Sequence, residues 1–225
     1  MPLTQTIPLE GGLLLLREMT EDSEQLLSGF PETGSLPPRL ISGSKKRKKE
    51  WLAIRALLRE AGCSPEQLSY SPSGKPHLSH PCYRHISISH SDRLAGLLLQ
   101  QKLPAGLDIE NRSRNFLRVE HKYLSQEEQW LARTIPDGHG LFWCIKEAVY
   151  KAAGITGLHF ASQIGIRQNK NGKLHAWADA PEEQRLRLFR LLFLETGEQL
   201  IVCALEQPEP EVPGRICSQQ KRPAL

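Results

Sequence analysis

Apolar and polar residues alternate strictly along His85-Ile86-Ser87-Ile88-Ser89-His90. Side chains on a strand point to opposite faces in turn, so Ile86 and Ile88 share one face and Ser87 and Ser89 the other. Ser91-Asp92-Arg93 then reads as a turn and Leu94 to Gln100 as a returning strand. The stretch is therefore an antiparallel hairpin, and the rest of the chain must supply layers to cover it.

The segments around the hairpin read as helix, then sheet, then helices, then sheet again. Leu13 to Leu16 is a candidate buried strand. Ser42 to Ala61 reads as a helix, with Trp51, Ile54, Leu57 and Leu58 on one face and Gly62 as a stop. Residues 64–84 are loop-rich, and Gly106 to Glu110 is a short strand. Helices are expected over about 115–133 and 140–153, the second closed by Gly154. Strands follow at Gln163 to Arg167, Leu174 to Ala178, Leu186 to Leu194 and Leu200 to Leu205, with turns at Asn171-Gly172 and Thr196-Gly197-Glu198. The expected fold class is α+β, in two similar halves at 1–104 and 105–206. A Pro-, Glu- and Gln-rich tail, 207–225, is expected to be disordered.

Composition limits the function classes. The formal net charge of +4 on 225 residues is a modest bias, not the excess of a nucleic-acid binder. The five cysteines are scattered and form no Cys-x-x-Cys pair, which favours reduced thiols in a cytoplasmic protein. Neither a signal peptide nor a membrane span is read from the sequence.

Two clusters carry chemistry. Asp108 and Glu110 alternate with Leu107 and Ile109, so a strand puts both carboxylates on one face, roughly 7 Å apart at Cα. That pair suits Mg²⁺, which takes one or two carboxylates and fills its shell with water and phosphate oxygens. Asp-x-Glu is a common pattern, however, and taken alone it reads first as an edge strand with one face in water. Trp143, Glu147 and Lys151 line up at i, i+4 and i+8 on a helix. Glu147 and Lys151 read either as a surface ion pair or as a further carboxylate with a phosphate-neutralising lysine. Lys45 to Lys49 is the densest charge run, with Arg55 further along the same helix. Cations at a helix start oppose its dipole, a placement that makes sense if an anion binds there. Gly74-Lys75-Pro76 puts a cation on a rigid turn, and His90 ends the alternating strand.

In order, Lys46-Arg47-Lys48-Lys49-Glu50 through Arg55, Gly74-Lys75-Pro76, Ile88-Ser89-His90-Ser91, Gly106-Leu107-Asp108-Ile109-Glu110 and Trp143 to Lys151 resemble the Sfp-type 4′-phosphopantetheinyl transferases. The resemblance covers about residues 40–155. Its specific part is Gly-x-Asp-x-Glu followed by Trp-x-x-Lys-Glu-x-x-x-Lys. It implies a pseudo-dimer of two α+β halves, each an antiparallel sheet packed with helices, that works as a monomer with coenzyme A in the cleft between halves. It implies Asp108, Glu110 and Glu147 as ligands of Mg²⁺ (or Mn²⁺), and Glu147, Asp108 and Lys151 as catalytic residues with Glu147 the favoured base. Arg47, Arg55 and His90 are implied at the 3′-phosphate. Lys75, Pro76, Ser89, Lys146 and Lys151 are implied around the adenine and pyrophosphate. The implied reaction moves phosphopantetheine from coenzyme A to a serine of an apo acyl or peptidyl carrier protein, leaving 3′,5′-ADP. Phe116 to Trp130 matches the region near the carrier protein, although its apolar residues also suit a core.

Three rivals stand beside this reading. A metal-dependent nuclease or phosphodiesterase leaves Gly74-Lys75-Pro76 and Ser89-His90-Ser91 without a role. A non-catalytic homologue that binds coenzyme A or carrier protein sits poorly with the retained Asp108, Glu110, Glu147 and Lys151. A nucleic-acid-binding module rests on residues 45–49 alone.

Overall fold

The computed structural model describes residues 4–21, 26, 43–180 and 185–208. The tail from residue 209 lies outside them, as does Ser42, the expected start of the first helix.

β1 (Thr4–Leu9) and β2 (Gly12–Glu18) form a hairpin whose turn uses Gly11 at φ 67°. With β5 (His85–His90) and β6 (Leu94–Gln100) they make an antiparallel four-stranded sheet of order β1-β2-β6-β5. A small hairpin of β3 (Leu68–Tyr70) and β4 (Pro76–Leu78) stands beside it. The remaining strands are β7 (Ala105–Asn111), β8 (Ile164–Gln168), β9 (Leu174–Ala180), β10 (Arg185–Thr196) and β11 (Gln199–Glu206). They form an antiparallel five-stranded sheet of order β7-β11-β10-β9-β8.

Helix α1 (Lys45–Glu60) begins at Ser44, whose side chain accepts from the amide of Arg47. Of its buried residues, Ala53, Ile54, Leu57 and Leu58 cover the outer face of the first sheet, while Leu52 packs with Leu26. The expected helix over 115–133 is broken into three pieces. A single 3₁₀ turn, Leu117–Val119, leads into α2 (Glu120–Tyr123), and α3 (Gln126–Thr134) follows. Leu124 is extended between the helices, and Ser125 with Glu128 forms a capping box that starts α3 afresh. Helix α4 (Gly138–Ala153) ends on Gly154 in the left-handed region, as its sequence suggests. A short α5 (Phe160–Gln163) was not legible in the sequence.

The layers explain the continuous apolar runs. Leu15, Leu97 and Leu99 point to α1, while Leu14, Leu16, Leu94 and Leu98 point to the second sheet. There they meet Leu107, Ile109, Ile201 and Cys203, whose neighbours Leu200, Val202 and Ala204 face α4. The order of layers is α1, first sheet, second sheet, α4, so the middle strands are covered on both faces and need no polar alternation. This is a mixed helix and antiparallel-sheet molecule. Among the described residues no helix is long and apolar enough to cross a membrane.

Candidate active site

The site begins with a glycine. A Cβ on Gly106 would stand 1.8 Å from the carbonyl oxygen of Ala148 and 2.7 Å from the amide of Ala152. No larger residue lets α4 lie this close to β7. The close approach brings Cys144, Glu147 and Lys151 over the face of β7 that carries Asp108 and Glu110.

Asp108 is 4% exposed and heavily engaged. Its Oδ1 accepts from Lys151 Nζ at 2.7 Å and from Ser89 Oγ at 3.0 Å, and its Oδ2 from Cys144 Sγ at 3.3 Å. Glu110 accepts from Trp143 Nε1 at 2.8 Å and takes two contacts from Arg114, at 2.8 and 3.0 Å. Glu147 is half-buried between these groups and receives no hydrogen bond from the described residues. Burial raises its carboxyl above the usual range, the negative Asp108 adds to this, and Lys151 works against it. The Cys144 thiol is pushed well up, first by burial and then by the charge of Asp108.

Could these carboxylates hold a divalent cation? Among the described residues no three acidic, histidine or cysteine side chains are gathered tightly enough to form a metal cluster. Lys151 and Arg114 supply the counter-charge. The donor chemistry nevertheless fits Mg²⁺, since three carboxylates offer hard oxygen ligands and the burden on Glu147 comes partly from Asp108 and Glu110. A cation among them would relieve that repulsion. Arg114 is the exposed partner of its pair, so its hold on Glu110 can be exchanged.

The long cleft lies beside this cluster. One part, about 250 Å³, is lined by Gly74, Lys75, Pro76, Ile88, Tyr150 and Lys151 among others. The β3–β4 turn sets Lys75 at its rim: Gly74 adopts φ 83°, and the Lys75 amide donates to Ser71 Oγ at 3.1 Å. The adjoining part, about 470 Å³, shares Gly74 and Ile88 and adds Arg47, Trp51, Tyr70 and His90. Glu50 is there too, 3.4 Å from His90 Nδ1. Arg47 and His90 thus line one part, Lys75, Pro76 and Lys151 the other, and Gly74 and Ile88 border both.

Three expected site residues are placed otherwise. Lys146 is 0% exposed, and its ammonium donates to Glu128 at 2.6 Å, to Phe160 O at 2.8 Å and to Ile164 O at 2.6 Å. All three protons are used inside the protein, which corrects the expectation that it meets phosphate. Its pKa is lowered by burial, and Glu128 opposes the shift. The pair also serves β8, the far edge of the sheet, because Glu128 accepts from the Ile166 amide at 2.8 Å. Ser89 is buried against β7 with its hydroxyl engaged there, and so does not present that hydroxyl to the cleft. Arg55 stacks on Trp51, its guanidinium carbon 3.2 Å from the ring centroid, and is not among the residues lining the cleft.

Sequence reasoning gave no role to Cys144, Arg114 or Ser87. Cys144 and Lys151 lie on nearby faces of α4 at helical spacing, and that was the available signal. In Phe116 to Trp130, Phe116, Tyr123 and Leu124 are core, whereas Leu117 and Trp130 are exposed.

A family model described as the 4′-phosphopantetheinyl transferase superfamily matches residues 104–187, the segment from β7 into β10. The chain is 33% identical over 135 residues to the 4′-phosphopantetheinyl transferase AcpT of Salmonella typhimurium, spanning 54% of this chain and 68% of that protein. It is 35% identical over 79 residues to the protein of the same name from Salmonella typhi, spanning 34% of this chain and 41% of that protein.

Proposed function

Because this chain belongs to the 4′-phosphopantetheinyl transferase superfamily, we propose that it moves the phosphopantetheine arm of coenzyme A onto a serine hydroxyl of an apo acyl or peptidyl carrier protein. The observation that carries this reading is the double position of Lys151. Its ammonium is 2.7 Å from Asp108, and its side chain also lines the cleft that holds Lys75 and Pro76. Acidic cluster and cationic cleft therefore meet at one residue. A coenzyme A whose nucleotide lies along the cleft would have its pyrophosphate arrive there.

Arg47 and His90 would hold the 3′-phosphate, and Lys75, Pro76 and Lys151 the adenine side and the pyrophosphate. The serine oxygen attacks the phosphorus that carries the pantetheine arm. A new O–P bond forms while the bond to the bridging oxygen breaks, and 3′,5′-ADP leaves with that electron pair. Glu147 takes the serine proton. Its carboxyl suits the task better than Asp108, since Asp108 is already bonded to three donors while Glu147 is more basic than usual. Lys151 offsets negative charge growing on the phosphates. Asp108, Glu110 and Glu147 would hold Mg²⁺ or Mn²⁺, which when bound supplies further charge neutralisation at the pyrophosphate.

The cleft draws residues from β5 and α1 on one side and from α4 on the other, so one chain would hold a complete site. This is the sense in which we read the two sheets, each with its helix, as a pseudo-dimer. Leu117, Arg118 and Lys122 are exposed, an apolar and two basic side chains suited to an acidic carrier.

The test is incubation with coenzyme A, Mg²⁺ and a panel of apo-carrier proteins, read by intact mass. The expected result is a gain of one phosphopantetheine arm on at least one carrier, abolished by chelator. Coenzyme A binding with no gain on any carrier would favour a non-catalytic homologue. Failure to bind coenzyme A would overturn the reading.

A further inference from the structure

Both edges of the five-stranded sheet would present unpaired amides to their surroundings, and both are closed by side chains. At the β8 edge the closing groups are Glu128 and Lys146. At the β7 edge they are two serines from the other sheet: Ser87 Oγ accepts from the Leu107 amide at 2.9 Å, and Ser89 Oγ accepts from the Ile109 amide at 3.1 Å. In this respect the serines are equivalent. In another they are not.

Ser89 Oγ also donates to Asp108 Oδ1 at 3.0 Å and accepts from Lys151 Nζ at 3.2 Å. A hydroxyl has one proton and two lone pairs, so this one is saturated by its three partners. The partners come from three places: the backbone of β7, the carboxylate on β7 and the last turns of α4. Asp108 Oδ1 and Lys151 Nζ are the two atoms whose mutual position decides how charge is presented at the end of the cleft. Without the hydroxyl, Lys151 still reaches Asp108, but neither is tied to the first sheet, which carries His90 one residue further along β5.

We propose that Ser89 is a positioning residue: its hydroxyl locks Asp108 and Lys151 in register with the coenzyme A cleft across the junction of the two sheets, and it is not itself a ligand of coenzyme A. The proposal rests on the transferase reading above.

The test compares Ser89→Ala with wild type in three measurements: the coenzyme A dissociation constant by calorimetry, the transfer rate at saturating coenzyme A, and the Mn²⁺ dissociation constant by electron paramagnetic resonance. Ser87→Ala provides the stability cost of uncapping one edge amide. Where Ser89→Ala does not fold, Ser89→Cys fills the same space with a much weaker hydrogen-bonding group and is expected to act in the same direction. Loss of one hydrogen bond to a charged group predicts a rate about tenfold lower, with coenzyme A affinity within about twofold of wild type. Mn²⁺ affinity should shift severalfold, because Asp108 loses one of the donors that orient it. Weaker coenzyme A binding with an unchanged rate would make Ser89 a ligand and overturn the proposal. Unchanged rate and Mn²⁺ affinity, with only the stability loss shared by Ser87→Ala, would make it purely structural and also overturn it. If wild type modifies no carrier, the transferase reading fails by itself, and the Mn²⁺ measurement still decides whether Ser89 orients Asp108.

Discussion

Lys146 donates to Glu128 at 2.6 Å in a pair closed off from solvent. Five residues later on the same helix, Lys151 donates to Asp108 at 2.7 Å and faces the cleft. The two lysines of one motif thus have separate tasks. Lys146 joins α3, α4 and the edge strand β8, and Lys151 joins the acids to the cleft.

Lys146→Met separates those tasks. Removing one partner of a buried pair leaves Glu128 uncompensated, which costs about 3–5 kcal/mol. The urea midpoint should fall accordingly, while the folded fraction binds coenzyme A as wild type does. A large loss of coenzyme A affinity in folded protein would return Lys146 to the binding site.

Glu147→Gln should remove a general base and lower the transfer rate by about 10²–10⁴-fold. The melting temperature should stay level or rise, because the substitution removes a half-buried charge crowded by Asp108 and Glu110. Asp108→Ala behaves differently. It strips Lys151, Ser89 and Cys144 of their shared acceptor, so it should lose activity and also stability, by about 1–3 kcal/mol. An unchanged melting temperature for Asp108→Ala would contradict the network described for it.

Arg47 is exposed at the cleft, so Arg47→Ala should leave the melting temperature unchanged. Loss of one charge-assisted contact predicts coenzyme A affinity about tenfold weaker. The effect should largely vanish with 3′-dephospho-coenzyme A, measured by calorimetry. Equal losses with both ligands would remove the 3′-phosphate from the role given to Arg47.

Gly106→Ala drives a methyl group into the Ala148 carbonyl. Because the obstacle is backbone, relief requires α4 to shift from β7, at a cost of about 3 kcal/mol. Stability and transfer should fall together. A variant that melts and turns over like wild type would mean that β7 and α4 do not pack this closely.

Local periodicity accounts for what was legible in the sequence. Strand period placed Asp108 with Glu110 and Ser87 with Ser89, and helix period aligned Trp143, Glu147 and Lys151. The hairpin of β5 and β6 agrees with its alternation and turn residues. A single helix over 115–133 is what the sequence leads us to expect; the break at Leu124 is written in Ser125 and Glu128, which spell a capping box. The alternative of a water-facing strand at Asp108 fails because Cys144 and Lys151 of α4 cover that face.

Which side of an element meets which neighbour is a tertiary matter. Lys146 and Lys151 lie about 140° apart around α4, at about 100° per residue. The sequence therefore determines that they face different ways, but not which of them faces the cleft. That follows from α4 lying between β7 and β8, each with its own polar groups to satisfy. In the same way, alternation puts Ser89 on the inner face of β5, and only the stacking of two sheets brings that face to the open edge of β7. Hydroxyls and ammonium groups are short-ranged donors and acceptors, so their roles depend on partners distant in the chain, which no local spacing specifies.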